Sequence, residues 1–321
     1  MGTAGGGVPE LSVVVCAAGG TDGLQACLRS LLADAPAGME LIVAGDAAAA
    51  AAASAAAAGA QLRSVVPAAG VAARQAGLTA ARGTYVGFAE AADTVQPGWA
   101  RLLLEAARPR LPAMVKGGYA TLRPGVRQLH VSGVCQGMAA HSPLYWYGEL
   151  CSALYRRDFT ARHGLGFADG GGCGGEAAFQ VRAVVAALLD GEELILCPQA
   201  VYCSAHHAGS EPSFALADAD VESVLQAHAG LHELLCTHCA RLPPAGIGVQ
   251  YYSWVVVLLE LARRAASPAA AVAAIELVQR LYAECPLPGE LWGMIRMLEE
   301  RTARSAAAAG QRRMGQLRRG G

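Results

Sequence analysis

Over its first 110 residues the chain switches repeatedly between strand-like and helix-like periodicity, and this alternation limits the fold more than any single motif. Leu11-SVVVCAA is a β-rich apolar run. After it, Leu24, Cys27, Leu28, Leu31 and Leu32 recur at helical spacing behind the capping types Thr21 and Asp22. Glu40-LIVAG reads as a short strand ending near Asp46, and the alanine-rich stretch from Asp46 to Gly59 as a helix, because alanine has the highest helix propensity. Gln61-LRSVV is strand, Val71 to Ala81 helix and Thr84-YVGFAE strand, and Pro97 opens a helix over Gly98-WARLLLEAA. Such βαβα order predicts an α/β fold with a mostly parallel sheet flanked by helices. Ligands of such sheets bind beyond the carboxyl ends of the strands.

The pattern then changes. Residues 111–142 read as short extended pieces with a hairpin around Pro124-Gly125, 143–157 as helix, Gly164 to Gly175 as glycine-rich loop, Glu176 to Leu189 as helix and Glu193 to Val201 as strand. Beyond Ser213 the chain reads as an all-helical region, over 216–241, 248–266, 268–284 and 288–308, punctuated by Pro243-Pro244 and Pro286/Pro288. The expected division is 9–213, 214–308 and a mobile basic tail, 309–321. At 321 residues roughly 75% of the unfolded surface can be buried, so a substantial core is expected.

With 25 Lys+Arg against 26 Asp+Glu, the charge balance offers nucleic acid no general footing. The N-terminus lacks a basic n-region, and the longest apolar run, Trp254 to Leu259, is far shorter than the ~20 residues that span a bilayer. Ten scattered cysteines in a chain of this length read as buried thiols of a reducing compartment, which makes cytoplasmic residence the expectation. His228, His232, Cys236 and Cys239 fall along one helix but span about 16 Å at ~1.5 Å per residue, too far to surround one ion. Core thiols with surface histidines are expected there.

The segment Gly70-VAARQAGLTAARGTYVGFAEAADTV resembles the family 2 inverting glycosyltransferases of GT-A fold, whose sequences run G-x-S-A-A-R-N-x-G-L, A-x-G-x-Y-[IV]-x-F and then an acidic D-x-D-D. Ala72-Ala73-Arg74, Gly77-Leu78, Ala81, Gly83, Tyr85-Val86 and Phe88 stand in register, with Gln75 for the usual Asn. Leu11-SVVVCAAGG, Cys27-LRSLL, Glu40-LIVAGD, Leu154-YRRDFTARHGLGF and Val201-YCSAHHAGS are similar to further segments of that family. The likeness covers about 11–213. It implies a Rossmann-like GT-A sheet holding a nucleotide-sugar donor, a divalent ion (Mg2+ or Mn2+) bridging the diphosphate, and a carboxylate that deprotonates an acceptor hydroxyl.

Laid on the family pattern, Glu90 takes the first acidic position, Ala92 the second and Asp93 the third. Asp46 matches the acid that contacts base or ribose, although an N-cap role for the alanine-rich helix serves equally. Arg74 suits the diphosphate, the alternative being a helix-surface arginine. Gly174-Gly175-Glu176-AAF stands where the family carries E-D-x-x-F, so Glu176 is the expected catalytic base; a first-turn glutamate favoured by the helix dipole is the simpler reading. Asp93 and His207 are the expected metal ligands, against a plain polar loop for His206-His207.

The resemblance implies transfer of a hexosyl group with inversion to a saccharide or lipid-linked acceptor, in polysaccharide or glycoconjugate synthesis of the cell envelope. Peripheral contact at the inner membrane face would fit the basic tail. The departures at Gly45, Gln75, Glu90, Ala92, Gly175 and Glu176 keep open an inactive relative that binds or scaffolds. A dehydrogenase is disfavoured, since no G-x-G-x-x-G follows the first strand.

Overall fold

The computed structural model describes residues 8–17, 21–56, 62–67, 72–123, 126–129, 150–167, 175–205 and 218–242, with single positions between 247 and 280. Residues 1–211 and 212–321 form two compact units. In the first, β1 (Leu11–Ala17), β2 (Met39–Gly45), β3 (Leu62–Val65) and β4 (Tyr85–Glu90) are linked by α1 (Leu24–Leu32), α2 (Ala47–Ala56) and α3 (Ala73–Ala80). β5 (Thr94–Val95), α4 (Trp99–Ala107), β6 (Met114–Arg123), β7 (Val126–Leu129), β8 (Ala153–Arg156), α5 (Arg157–Arg162), α6 (Gly175–Asp190) and β9 (Leu194–Ala205) follow.

The described strands form one sheet in the order β3-β2-β1-β4-β8-β6-β9-β5, with β7 on the outer half of β6. β1 pairs in parallel with both β2 and β4, and all seven residues of β1 and of β2 are buried. Runs such as Leu11-SVVV and Glu40-LIVA lack alternation because helices cover both of their faces. Beyond β4 the sheet turns mixed, β8 lying antiparallel between β4 and β6. β6 and β7 make the hairpin expected around Pro124-Gly125, pairing Arg123 with Val126.

The helix expected over 143–157 is not found in its described part. Leu150–Ser152 is a 3-10 turn and Ala153–Arg156 a strand. Ala153, Leu154 and Tyr155 are almost wholly buried in the middle of the sheet, where flanking strands on both sides satisfy the backbone; so short an apolar run reads alike as helix or strand.

Two close approaches set the first helices on the sheet. Gly77 lets α3 touch β1: a Cβ there would lie 2.1 Å from Val14 Cγ1. Gly23, at φ 80 before α1, backs onto the turn after β4, where a Cβ would stand 2.9 Å from Ala92 Cα. At the amino ends of the strands Ser12 Oγ donates to Glu40 Oε1 at 2.6 Å, and Arg82 Nη2 reaches Glu40 Oε2 at 2.7 Å.

In the second unit α7 (Asp218–His238) ends in a 3-10 turn, Cys239–Arg241. The expected placement of its histidines is reversed. His228 and His232 are buried, whereas Cys236 and Cys239 are half-buried. Val224, His228, Leu231, His232 and Leu235 share the inward stripe, and His228 satisfies its Nδ1 on the Val224 carbonyl at 2.8 Å. Burial holds the His228 imidazole below its usual pKa. The expected helices over 248–266 and 268–284 are described only at scattered positions, and 288–308 and the tail lie outside the described residues. No described helix is long and apolar enough to cross a membrane.

Candidate functional site

Because β1, β2 and β4 are parallel and in register, Ala17, Gly45 and Glu90 end at one edge of the sheet. Three elements deliver charge there: the end of β4 brings Glu90, the first turn of α3 brings Arg74 and the first turn of α6 brings Glu176. Arg74 Nη2 donates to Glu90 Oε1 at 2.7 Å and also to Glu176 Oε1. A cation in the first turn of a helix opposes the dipole, so Arg74 is held by these two carboxylates, whereas Glu176 sits where the dipole favours it.

The cluster carries one guanidinium and two carboxylates. Burial pushes the Glu90 carboxyl up to about 7, Arg74 opposes this, and Glu176 and Asp93 add to it. Burial works against the Arg74 charge, but Glu176 and then Glu90 outweigh it and hold the guanidinium protonated. Arg74 Nε is buried with no hydrogen-bond partner among the described residues. Cys16, opposite Glu90 in the β1–β4 register, has its thiol pushed up by burial first and by Glu90 next, which keeps it protonated and unreactive.

Aromatic packing aims Glu176. Phe167 and Phe179 stack at 4.8 Å between centroids, and Phe88 of β4 meets them edge-on at 5.3 and 5.7 Å. Tyr155 closes the group against Phe179 at 5.1 Å. Phe179 lies one turn beyond Glu176 on α6, so this cluster fixes the helix start against the end of β4. Gln75 adds a polar tie, its Oε1 accepting the Phe167 N–H at 2.8 Å.

Asp93 turns away from this group. Oδ2 accepts from Tyr202 Oη and Oδ1 from the Ala205 N–H, each at 2.7 Å. Tyr202 Oη in turn accepts the Glu90 N–H at 3.0 Å. Asp93 and Tyr202 thus join the turn after β4 to the end of β9. No role was expected for Tyr202; the signal was its place in Val201-YCSA, on a strand entering the family-like closing segment. Asp46 stands apart at the end of β2, where Oδ1 caps α2 on the Ala49 N–H at 2.8 Å and the side chain is exposed. Arg74, Glu90 and Glu176 are therefore brought together, Asp93 lies beside them facing β9, Asp46 lies two strands from Glu90 with β1 between, and His207 is outside the described residues.

The described side chains do not fit a divalent ion as they stand. Both Asp93 oxygens are engaged, Ala92 has no donor, and Glu90 and Glu176 share Arg74. Among the described residues no three His, Cys, Asp or Glu side chains group as a ligand set.

No protein-family model and no curated protein sequence matches the chain. Solved structures do. Residues 1–349 of S. aureus TarS in complex with UDP-GlcNAc superpose with a TM-score of 0.55 at 12% identity, over 85% of this chain and 90% of that one. The same protein in complex with UDP gives 0.53 at 13% identity, with the same coverage. The mannosyltransferase PcManGT from Pyrobaculum calidifontis, in complex with GDP-Man and Mn2+, gives 0.54 at 16% identity, over 95% of this chain and 87% of that one. Likeness at such identities carries architecture and nothing finer: the chain has the GT-A-like α/β fold of these glycosyltransferases.

Proposed function

We propose that the protein is a glycosyltransferase of hexosyltransferase type that uses a nucleotide-sugar donor and inverts the anomeric centre. The observation that carries this is the meeting of Glu90 and Glu176 on Arg74, from segments up to 102 residues apart, at the carboxyl edge of a GT-A-like sheet. Ligands of such sheets bind at that edge. In this reading the nucleoside lies over the ends of β1 and β2, with Asp46 toward base or ribose, and the diphosphate lies beside Glu90, Arg74 and the turn held by Asp93.

Glu176 is the general base. Its Oε1 is held by Arg74, and Oε2 takes the proton of the acceptor hydroxyl. The acceptor oxygen then bonds to the anomeric carbon while the bond from that carbon to the diphosphate oxygen breaks, and the nucleoside diphosphate leaves with the electron pair. In-line attack inverts the centre. General-base assistance is worth roughly 10²–10⁴ in rate. The acceptor is a saccharide or lipid-linked hydroxyl, and the setting is cell-envelope polysaccharide or glycoconjugate synthesis.

Calorimetry with UDP- and GDP-sugars, each with and without Mn2+ or Mg2+, tests the donor. Binding of neither class refutes the proposal. Glu176→Gln is expected to abolish transfer with donor affinity nearly unchanged, and unchanged turnover removes Glu176 as base. The engaged Asp93 and the absent acid at Ala92 favour a second reading, a module that binds donor without turning it over; donor binding without transfer or donor hydrolysis in the wild type selects it.

A further inference from the structure

Adjacent residues of α3 hold both ends of one segment. Gln75 takes the backbone of Phe167, and Arg74 takes the side chain of Glu176. Eight residues separate Phe167 from Glu176, Ala168-DGGGCGG, and five of them are glycine, the residue type with the least conformational preference of its own. Ties among the described residues on either side of that stretch bear on the placement of Glu176. Three are present: the Phe167–Phe179 stack, the Arg74 ion pair and the Gln75 carboxamide.

We propose that Gln75 is a positioning residue for Glu176, acting through the Phe167 amide rather than by touching the carboxylate. Its orientation is built in. Nε2 faces Thr79 Oγ1 at 3.4 Å, which turns Oε1 to the Phe167 N–H. Thr79 Oγ1 is fixed in turn on the Gln75 carbonyl at 2.9 Å. Gly166 gives the carboxamide its room, since a Cβ there would stand 2.8 Å from Gln75 Oε1. The first turn of α3 is in this way a two-point clamp, one point electrostatic and one a neutral hydrogen bond. The catalytic consequence rests on the glycosyltransferase reading; the clamp itself does not.

The test uses the full chain and variants Gln75→Ala, Gln75→Glu and Gly166→Ala. Residue-resolved amide exchange and carboxyl 13C NMR of Glu176 are read without ligand. In Gln75→Ala the Phe167 amide is expected to exchange about tenfold faster and the Glu176 carboxyl signal to shift. Gln75→Glu keeps an acceptor at the same reach and restores both, while Gly166→Ala reproduces the alanine result by displacing the carboxamide. A Glu176 signal that stays in place while Phe167 exchange accelerates overturns the proposal. Where donor turnover is present, Gln75→Ala should lower kcat by up to ~100-fold with the donor KM unchanged. It should add nothing to Glu176→Gln, because the two act as one unit. Additive losses also overturn the proposal. Absence of turnover in the wild type refutes the transferase reading alone, and the NMR result still decides the clamp.

Discussion

The raised pKa of Glu90 makes a prediction about stability that is independent of any substrate. Below about pH 4.5 the carboxyl is protonated in both the folded and the unfolded chain and contributes no pH dependence. As pH rises from 4.5 to about 7 the unfolded chain ionises while the folded site keeps its proton, so stability falls across that window and the cost is complete above it. At ~1.36 kcal/mol per pH unit the full shift corresponds to about 3.4 kcal/mol. The Glu90 side chain is 37% exposed, and solvent screening reduces this to roughly 1–2 kcal/mol. Glu90→Gln imitates the protonated acid and keeps an oxygen for Arg74. The variant should match the wild type at pH 4.5 and exceed it by roughly 1–2 kcal/mol at pH 8. Urea unfolding of both proteins at half-unit steps from pH 4.5 to 8 measures the difference. A gap that does not change with pH, or a wild type more stable at pH 8, refutes the reasoning.

Other perturbations probe the supports of the same edge. Tyr202→Phe strips Asp93 Oδ2 and the Glu90 N–H of their shared partner and should cost ~1–3 kcal/mol in urea unfolding, where a loss below ~0.5 kcal/mol would deny the bridge its role. Gly77→Ala drives a methyl group to 2.1 Å from Val14 Cγ1 and should cost ~1–3 kcal/mol despite alanine's better helix propensity; Val14→Ala in the same chain should recover most of it. Burial raises the Glu40 carboxyl, but its bonds from Ser12 and Arg82 outweigh burial and leave it below its ordinary value. Its stabilisation is accordingly present above about pH 4.5 and is lost as pH falls through the folded-state value. Glu40→Gln should be ~1–3 kcal/mol less stable than wild type at pH 7, converging with it in acid; a constant gap would contradict this.

The parallel half of the sheet was legible because period is a local property. Strands of β-branched residues alternate with helices whose apolar residues recur every three or four positions, and each element could be read within a dozen residues. β8 was not legible in that way. Whether Ala153-Leu154-Tyr155 becomes helix or strand depends on β4 and β6 lying on either side, a fact of tertiary pairing absent from those residues. The inward histidines of α7 were missed for a similar reason: polar type suggested surface, and the compensating bond to the Val224 carbonyl forms only within the folded helix. At the candidate site the acids stood out by their spacing from the Gly70–Phe88 segment. Their partners did not. That Arg74 would reach Glu176, that Asp93 would turn to Tyr202, and that Gln75 would hold the Phe167 amide all depend on contacts between residues 92 to 109 positions apart.

Two charge clusters sit at opposite ends of the parallel strands, and their electrostatic signs separate scaffold from site. At the amino ends Glu40 accepts from Ser12 Oγ and from Arg82, and its proton affinity falls, so ionisation there stabilises the fold. At the carboxyl ends Glu90 shares one guanidinium with Glu176, lies near Asp93, and its proton affinity rises, so ionisation there works against the fold. Structural need alone does not account for the second arrangement, since a neutral residue at position 90 would be cheaper and Arg74 would still have Glu176. Negative charge retained there against stability marks this cluster, rather than the one around Glu40, as the candidate site. The same negative charge means that the Arg74 charge is already compensated by Glu176 and Glu90. Burial brings the Glu90 carboxyl up to about 7, so its charge at this edge adjusts near neutral pH.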